Sequence, residues 1–387
     1  MDFGFSNDQV LLRDTFRSFC KKELTREYVR WLDENVDFIP KDLWDKVNDL
    51  GYFGMRIAEK YGGSGMTLTD YVIACEELAT ASTAVAMCCG MSQDFGGSII
   101  SKIGDEEQKG YFLPKIAAGE LKFCMALTEP GGGTDILGAI KTTAEKKGDQ
   151  FILNGQKVFI TGAHVADYMI VIAVTDPQAA KRSRALSILV VDAKTSGIAV
   201  VPIRKLGVHA CGANEIFFEN VVVPEENLLG DLNRGWYHIL DVLNPERIIT
   251  SVFSLGIAKA AFQDALAYSQ QRYAFGKPIA QFQILQHYLA DMAIAIESAR
   301  NMIYKCCWLH ETAQPYHMEA TMAKILAGKA SEIAATNGME ILGGYGYTME
   351  YDLQRYFRDY KQMIFSPISD EMAKNMIGEW MGLPRSF

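Results

Sequence analysis

The chain has 387 residues, of which 49% are hydrophobic, so it is long enough for two or three packed units with cores of their own. Its net charge of −9 and isoelectric point near 5.3 argue against a nucleic-acid-binding surface, which needs clustered positive charge. Eight cysteines without a Cys-x-x-Cys pair favour reduced thiols in a cytoplasmic protein over a disulfide framework or a metal site, and the longest apolar runs are too short to span a membrane.

The first 120 residues show helical periodicity. Apolar residues between Val10 and Phe19 recur at helical spacing, and Asn7 is the predicted cap of that helix. Further helices are predicted over residues 68–80 and 84–91, the second of which is small, apolar and buried. Residues 1–120 are therefore predicted to form an N-terminal helical domain.

From residue 121 the pattern changes to short β-rich runs. They are separated by glycine, asparagine and aspartate, which is typical of an antiparallel barrel or sandwich. Residues 121–232 are predicted to form this middle domain. The predicted strands cover residues 151–155, 157–160, 168–174, 186–191 and 216–223.

Long helical periodicity returns after residue 233. Helices are predicted over residues 249–271, 282–308 and 318–342, and a last one begins near Asp370. Long helices with short connections indicate a bundle. Residues 233–387 are therefore predicted to form a C-terminal helical bundle, which makes the whole chain α+β.

Three motifs carry most of the functional information. Residues 126–135 read A-L-T-E-P-G-G-G-T-D, and the three glycines allow the backbone to approach a ligand closely, although an ordinary surface turn explains them as well. Residues 272–283 read R-Y-A-F-G-K-P-I-A-Q-F-Q. Residues 340–359 read E-I-L-G-G-Y-G-Y-T-M-E-Y-D-L-Q-R-Y-F-R-D. In this order and at this spacing the motifs resemble those of the acyl-CoA dehydrogenase family, FAD enzymes that oxidise acyl-CoA thioesters between the α and β carbons.

The resemblance implies a fold and a set of cofactor contacts. The fold is an N-terminal helical domain, a middle antiparallel β-barrel or sandwich and a C-terminal four-helix bundle. Phe159 is expected to cover the flavin and Thr161 to reach its N5 atom; without the resemblance, Phe159 is more simply a core aromatic. Thr134 is also expected to contact substrate. The positions expected to bind FAD are Met125, Leu127, Thr128, Gly133, Thr134, Phe159, Thr161, Arg272, Phe275, Gln283, Gly343, Gly344 and Ser369.

Part of that set is expected to reach a neighbouring subunit. By resemblance, one subunit lends Arg272, Phe275 and Gln283 to the FAD of its neighbour, and an arginine fork suits a pyrophosphate. Glu340 departs from the glutamine common in the family, and a carboxylate beside a pyrophosphate is unfavourable unless it points away. Sharing the cofactor predicts a homotetramer, or at minimum a dimer.

The base that the reaction needs is missing from its usual position. A carboxylate must take the α-proton while hydride passes from the β-carbon to flavin N5. Family members place a glutamate shortly after an R-D-x-K segment, and here that position falls on Pro367, which cannot accept a proton. Ser369 keeps the hydroxyl found nearby.

Glu246 is the favoured replacement. It lies in N-P-E-R, residues 244–247, where a branch of the family supplies its base from the start of a helix. The competing interpretation is that Asn244 caps the helix and Glu246 sits in its first turn, where the helix dipole favours a carboxylate. Arg247 resembles a residue near the substrate entrance or coenzyme A.

Asp94 is the second candidate. It lies in S-Q-D-F-G-G, residues 92–97, in the part that walls the acyl pocket of relatives. It either caps the following helical turn or acts as a base on a carbon farther along the acyl group. The second role fits a 1,4-elimination from a cyclic or unsaturated acyl-CoA of the cyclohexene-carboxyl-CoA type. Asp370 and Glu371 are expected in the first turn of the last helix.

Three functions remain open on the sequence. The favoured one is an FAD-dependent acyl-CoA dehydrogenase or enoyl-CoA reductase with Glu246 as base. The alternatives are a dehydrogenase of a cyclic or unsaturated acyl-CoA with Asp94 as base, and a non-catalytic subunit that binds FAD or acyl-CoA. Electron-transferring flavoprotein is the expected partner, while the acyl group and the direction of the reaction stay undetermined.

Overall fold

The computed structural model describes residues 4–385, with side chains throughout that range except at 241–244. Residues 1–3 and 386–387, at the outer ends of the first and last predicted domains, lie outside the described residues. Helices come first, a β-sheet follows, and helices complete the chain. This order confirms the α+β fold class.

The N-terminal region is built from seven helices of the described chain. The first, α1, begins one residue earlier than its predicted cap implies: Ser6 Oγ accepts the Gln9 backbone N–H at 3.2 Å, and the Gln9 side chain returns to the Ser6 N–H at 3.2 Å. This capping box satisfies backbone groups that Asn7 was expected to satisfy. The helices are α1 Asn7–Glu23, α2 Arg26–Asn35, α3 Lys41–Asp49, α4 Leu68–Ala81, α5 Thr83–Met91, α6 Ser98–Ile103 and α7 Glu106–Ala117.

The middle region is a twisted sheet in the order β6-β7-β3-β2-β4-β5-β8, with β1 added beside β4. Strand β4 runs parallel to β1 and β2, and the other pairs in this sheet are antiparallel. Two predicted runs, 151–155 and 157–160, are one strand with two irregularities. The elements are β1 Phe123–Ala126, the short helix α8 Ile136–Ala139, β2 Thr143–Lys147, β3 Gln150–Thr161, β4 Tyr168–Val174, β5 Leu186–Asp192, β6 Ile198–Ile203, β7 Ala213–Pro224 and β8 Leu228–Leu229.

The C-terminal region packs long helices against one another. The buried face of the central helix, α11, consists mainly of alanine, glycine and serine, so its neighbours approach closely. A two-stranded ribbon projects between the first two helices. The elements are α9 Gly235–Gln271, β9 Tyr273–Ala274, β10 Lys277–Pro278, α10 Gln283–Glu311, α11 His317–Leu342, α12 Leu353–Phe365 and α13 Asp370–Trp380.

The first helix of this region corrects one prediction. A helix was expected to start at residues 244–246, with Asn244 as its cap, but α9 begins at Gly235 and continues through Pro245. Proline lacks an N–H and its ring clashes with a carbonyl of the preceding turn, so it usually ends or kinks a helix. Buried contacts on both sides, at Ile239 and Ile248, hold α9 together across it. The side chain of Asn244 lies outside the described residues.

One hydrophobic core cluster runs through the three regions, and a second joins the N-terminal helices, the sheet and the start of α9. Charged contacts add to it at the junction of α2 and α12. Arg358 Nη2 lies 2.6 Å from Asp33 Oδ2, and Arg30 Nε lies 2.9 Å from Asp352 Oδ1. Both aspartates are buried, so these pairs act where water screens little.

Candidate active site

One cavity brings together the two candidate bases. It lies where the N-terminal helices, strand β1 and helix α9 meet, and its volume is about 20 Å³. Asp94 and Glu246 both line it, although they are far apart in the sequence. The lining residues are Arg56, Asp94, Phe95, Ser98, Ile99, Met125, Ile239, Pro245 and Glu246.

Asp94 does not cap a helix, which corrects one of its two interpretations. Residues 92–97 form a π-helical turn that joins α5 directly to α6, and such turns re-aim side chains at functional sites. The Tyr71 hydroxyl donates to Asp94 Oδ2 at 3.2 Å, and the Tyr52 hydroxyl donates to Tyr71 at 3.2 Å. Burial raises the pKa of Asp94 to about 7, against the opposing effects of the Arg56 charge and the Tyr71 hydrogen bond.

Glu246 lies in the middle of α9, eleven residues after Gly235, so its first-turn interpretation is wrong. The helix N-terminus is too far away to stabilise its charge. Burial raises the pKa of Glu246 to about 7; the Asp94 charge adds to that rise, and Arg247 opposes it. Arg247 itself is 7% exposed, and burial lowers its pKa while Glu246 raises it. Two neighbouring carboxyl groups therefore titrate near neutral pH.

The glycine-rich motif is attached to β3 by a buried ion pair that sequence reasoning missed. Lys157 Nζ lies 2.9 Å from Glu129 Oε1 and donates to the Leu127 carbonyl at 3.0 Å. Glu129 also accepts the backbone N–H groups of Lys141 and Thr142, at 2.7 and 3.0 Å. Burial lowers the pKa of Lys157 to about 8. The only sequence signal was a lysine directly before the apolar run 158–160.

Phe159 is not a core aromatic. Its side chain is 66% exposed, and its backbone has a φ of 60°, which a residue with a bulky side chain rarely adopts. It occupies the irregularity in β3 between Lys157 and Ile160, while Val158 N–H donates to the Thr128 carbonyl at 2.9 Å. Phe159 therefore lies next to a strand residue that is bonded to Thr128 of the glycine-rich motif.

The remaining predicted residues of this motif and strand are accessible. Gly133 and Thr134 are exposed at the turn that follows Thr128. Asp135 after them caps α8, where its Oδ1 accepts the Gly138 N–H at 3.0 Å. Thr161 ends β3 and is partly buried.

A second, open groove collects the predicted contacts of the C-terminal domain. A volume of about 440 Å³ lies between Arg272, Glu340, Gly343, Gly344 and their neighbours. Neither glycine has an atom within 4 Å of the point where a Cβ would stand, so a ligand has room against the backbone.

Two further residues predicted to reach a neighbouring subunit are also exposed. Phe275 is 95% exposed at a φ of 51°, and Gln283 is exposed at the start of α10. Neither side chain is used to build the core of its own subunit. Phe275 packs its ring edge-on against Phe282, with the ring centres 6.1 Å apart.

The segment after α12 supplies structural contacts. Ser369 caps α13, since its hydroxyl accepts the Met372 N–H at 3.3 Å. Asp370 is buried in the first turn of α13, where its Oδ1 lies 2.5 Å from Lys324 Nζ. Pro367, at the usual position of the base, is partly buried. Between α12 and Asp370, the described chain contains no free carboxylate.

The described residues contain neither a candidate metal site nor a candidate membrane-spanning helix. Residues 4–385 contain no group of three or more histidine, cysteine, aspartate or glutamate side chains arranged to hold a metal ion. None of the helices in the same range combines the length and apolar character that a membrane crossing requires.

Comparison with known proteins identifies the family. Models of the N-terminal, middle and C-terminal domains of acyl-CoA dehydrogenases match residues 6–120, 124–221 and 233–382. The chain belongs to the acyl-CoA dehydrogenase family. A subunit of the caffeyl-CoA reductase–Etf complex of Acetobacterium woodii is 36% identical to this acyl-CoA dehydrogenase homologue over 356 residues, covering 92% of this chain and 93% of that protein.

Two further comparisons agree. A short-chain-specific acyl-CoA dehydrogenase of Clostridium acetobutylicum is 35% identical over 362 residues, covering 93% of this chain and 94% of that protein. The structure of butyryl-CoA dehydrogenase from Megasphaera elsdenii superposes with a TM-score of 0.94 at 34% identity, covering 98% of this chain and 100% of that one. This family member is therefore an FAD-dependent oxidoreductase of the acyl-CoA dehydrogenase and reductase type.

The residues present fit FAD. An exposed aromatic at a strained φ beside a glycine-rich turn suits a flat ring, and an arginine with two open glycines suits a phosphate-bearing chain. Glu340 lines the same groove and is exposed, so its carboxylate has water available to it.

Proposed function

We propose that the chain transfers hydride between an acyl-CoA thioester and FAD, with Glu246 as the base or acid that exchanges the α-proton. One observation carries the proposal: Glu246 lines the cavity together with Met125 of β1, directly before the glycine-rich motif, and its pKa is raised to about 7. By resemblance, Pro367 stands at the usual position of the base. A pKa near the working pH suits a group that must both take and return a proton.

The roles of the other residues follow from their contacts. FAD, when bound, supplies the hydride acceptor or donor. Met125, Leu127 and Thr128, with Phe159 opposite, would hold its ring, and Thr161 would reach N5. Gly133 and Thr134 would border the entrance, with Thr134 towards the substrate. Ile99 and Ile239 exclude water from the cavity in which Glu246 exchanges its proton.

The adenosine and diphosphate half would lie in the groove of Arg272, Gly343 and Gly344. Arg272 offers a planar fork for phosphate oxygens. Because Phe275 and Gln283 are exposed and lie away from their own subunit's cavity, we infer that they contact the FAD of a neighbouring copy in a homotetramer. Ser369 and Arg247 remain expected at the cofactor and the substrate, respectively.

Asp94 supports a second candidate function. It lines the same cavity and its pKa is raised to about 7, as is that of Glu246, so it is equally suited to accept a proton near neutral pH. As the base it would act on a carbon farther along the acyl group, in a 1,4-elimination from a cyclic or unsaturated acyl-CoA. Glu246 would then have a structural role.

The electron partner is proposed from a relative. The subunit from Acetobacterium woodii is named as part of a complex with Etf, and we propose an electron-transferring flavoprotein for this chain also. A cytoplasmic location accords with eight free, buried cysteines. The direction of the reaction would then depend on the potential of that partner.

Anaerobic flavin bleaching by a panel of straight, branched, cyclic and cyclic-unsaturated acyl-CoAs tests these proposals. Glu246→Gln should abolish bleaching by saturated thioesters, whereas Asp94→Asn should leave most of it. The reverse result, with bleaching confined to cyclic unsaturated thioesters, assigns the reaction to Asp94. If the Glu246→Gln, Asp94→Asn double variant still bleaches, both assignments are wrong; if the wild-type protein with bound FAD responds to no thioester in either direction, the chain is a non-catalytic subunit.

A further inference from the structure

One end of the acyl cavity is polar for a reason that the two carboxylates do not explain. Arg56 lines it together with Ser98 and Asp94. Arg56 Nη1 lies 3.4 Å from Ser98 Oγ, and the guanidinium carbon lies 5.9 Å from the centre of the Tyr71 ring. The other lining side chains, apart from Glu246, are apolar. Arg56 is therefore a cation at the polar end of a cavity that is otherwise suited to hydrocarbon.

The guanidinium of Arg56 has donors to spare. Among the described residues its single hydrogen bond is the long one to Ser98, and no described carboxylate lies within ion-pair distance of it. Guanidinium presents several N–H donors in one plane. A purely hydrocarbon acyl group that displaced water from this end would leave those donors unpaired, at a cost of roughly 1–3 kcal/mol.

The charges around Arg56 determine which substituent of an acyl group can accept a hydrogen bond from it. Asp94 lines the same end of the cavity, where the Arg56 charge acts on it, and Glu246 adds a second acidic group. A carboxylate on the acyl group would face both of them, and like charges in a confined site repel. A hydroxyl or keto oxygen accepts from Arg56 without that repulsion. A hydroxyl can also donate to Asp94.

We propose that Arg56 and Ser98 form a subsite for a neutral oxygen substituent, so that the substrate is an acyl-CoA with a hydroxyl or keto group remote from the thioester. This inference rests on the proposed acyl-CoA function. Arg56 is here a specificity-determining residue, and the proton-exchanging carboxylate is unchanged. The apolar side chains Phe95, Ile99 and Ile239 contact the carbon skeleton between the two ends.

The test compares thioesters that differ in one substituent. Pentanoyl-CoA, 5-hydroxypentanoyl-CoA, 4-oxopentanoyl-CoA and glutaryl-CoA are titrated into the FAD-loaded wild-type protein, with Kd from the change in the flavin spectrum and the rate from anaerobic bleaching. We expect the hydroxy and oxo thioesters to bind at least about 10-fold more tightly than pentanoyl-CoA, and glutaryl-CoA to gain nothing. Arg56→Met should reduce the preference to less than about 3-fold, and Ser98→Ala should reduce it part-way.

Two controls separate this subsite from an effect on Asp94. Arg56→Lys keeps the positive charge near Asp94 but loses the planar fork, so it should restore binding only partly. The preference should persist at a pH of about 5.5, where Asp94 is protonated, because a neutral oxygen pairs with the guanidinium in either state. A preference that disappears at that pH would show that Arg56 acts through Asp94, and would overturn the subsite.

The outcomes also separate this inference from the function on which it rests. If pentanoyl-CoA binds and bleaches as well as the oxygenated thioesters, the subsite is wrong and the acyl-CoA function stands. Equal losses for all four thioesters in Arg56→Met would likewise contradict a specificity role. If none of a wider set of thioesters exchanges electrons with the flavin, the proposed function fails and the subsite fails with it.

Discussion

Lys157 Nζ and Glu129 Oε1 lie 2.9 Å apart in the interior of the protein, where Lys157 is 0% and Glu129 is 6% exposed. One partner belongs to β3 and the other to the glycine-rich motif. Together with the bond from Lys157 to the Leu127 carbonyl, this pair fixes the two chain segments that we expect to enclose the flavin ring. Because the pair is buried, water does not solvate either charge, and each charge is stabilised mainly by its partner.

Removing one partner of this pair should be costly. In Lys157→Met, Glu129 becomes a buried charge without its ammonium, and we expect a loss of about 3–5 kcal/mol in the free energy of unfolding. FAD content should fall with it, because the motif is no longer held against β3. Differential scanning calorimetry and the flavin-to-protein ratio measure the two effects. Lys146→Met is the matched control, because its pair with Glu225 is exposed; an equal loss there would refute the argument from burial.

Phe159 should show opposite effects on the apoprotein and on FAD binding. Its φ of 60° strains a residue with a Cβ, so Phe159→Gly should stabilise the apoprotein by about 1 kcal/mol. Loss of the exposed ring should weaken FAD binding by roughly 10-fold. Melting temperature of the apoprotein and titration with FAD provide the readouts. Asn220→Gly serves as control, because asparagine tolerates its φ of 49° and glycine gains little there. Unchanged FAD affinity in Phe159→Gly would remove Phe159 from the site.

The rate of flavin reduction should depend on pH near neutrality. A base must be deprotonated to act, and the pKa values of Glu246 and Asp94 are both about 7. We therefore expect the rate to rise with pH through about 7 and to level off above it. Stopped-flow bleaching between pH values of about 5 and 9 gives the profile. A rate already constant at pH 5 would mean that neither carboxyl is the base in the form described.

Tyr71→Phe should distinguish the two bases. Its hydroxyl bonds to Asp94 at 3.2 Å and lowers the pKa of that carboxyl, so removing it raises the pKa of Asp94. With Asp94 neutral over more of the range, its repulsion of Glu246 weakens, and the pKa of Glu246 falls. The acid limb of the rate profile should thus move to lower pH if Glu246 is the base, and to higher pH if Asp94 is. Tyr61 is remote from the cavity, so Tyr61→Phe should leave the acid limb of the rate profile unchanged.

Stability should change with pH in the opposite sense to activity. Folding raises the pKa of Glu246 from 4.5 to about 7, so the folded state holds that proton more tightly than the unfolded state does. The stabilisation is complete below the unfolded pKa and is lost as pH rises through about 7. Glu246→Gln should then raise the melting temperature at a pH of about 8, by an amount equivalent to roughly 1–3 kcal/mol, and change little at about 4. Asp49→Asn, on the surface of α3, is the control and should change the melting temperature at neither pH. If Glu246→Gln raises the melting temperature at both pH values, the effect comes from packing and not from the proton.

The sequence by itself determined the family and the α+β order of the regions, and by resemblance it predicted that Pro367 stands where the family usually has its base. Periodicity of two and of 3.6 residues is a local property, so β4 and α11 were predicted within one residue and α10 within three. Motif letters such as the three glycines after Pro130 identify a turn and its cofactor class without any coordinates. The proline at residue 367 needs no structure to be recognised as unable to accept a proton.

Only the tertiary structure decided what Glu246, Asp94 and Phe159 do locally. Local rules favoured a helix start at Pro245, a cap at Asp94 and a core position for Phe159, and all three were wrong. Packing on both sides carries α9 through its proline, and the π-helical turn directs Asp94 to the cavity. The hydrogen bond from Arg56 to Ser98 and the pairing of Lys157 with Glu129 join residues 28 or more positions apart. The strength of these contacts depends on burial and on charges from distant parts of the chain, and neither can be deduced from a short stretch of sequence.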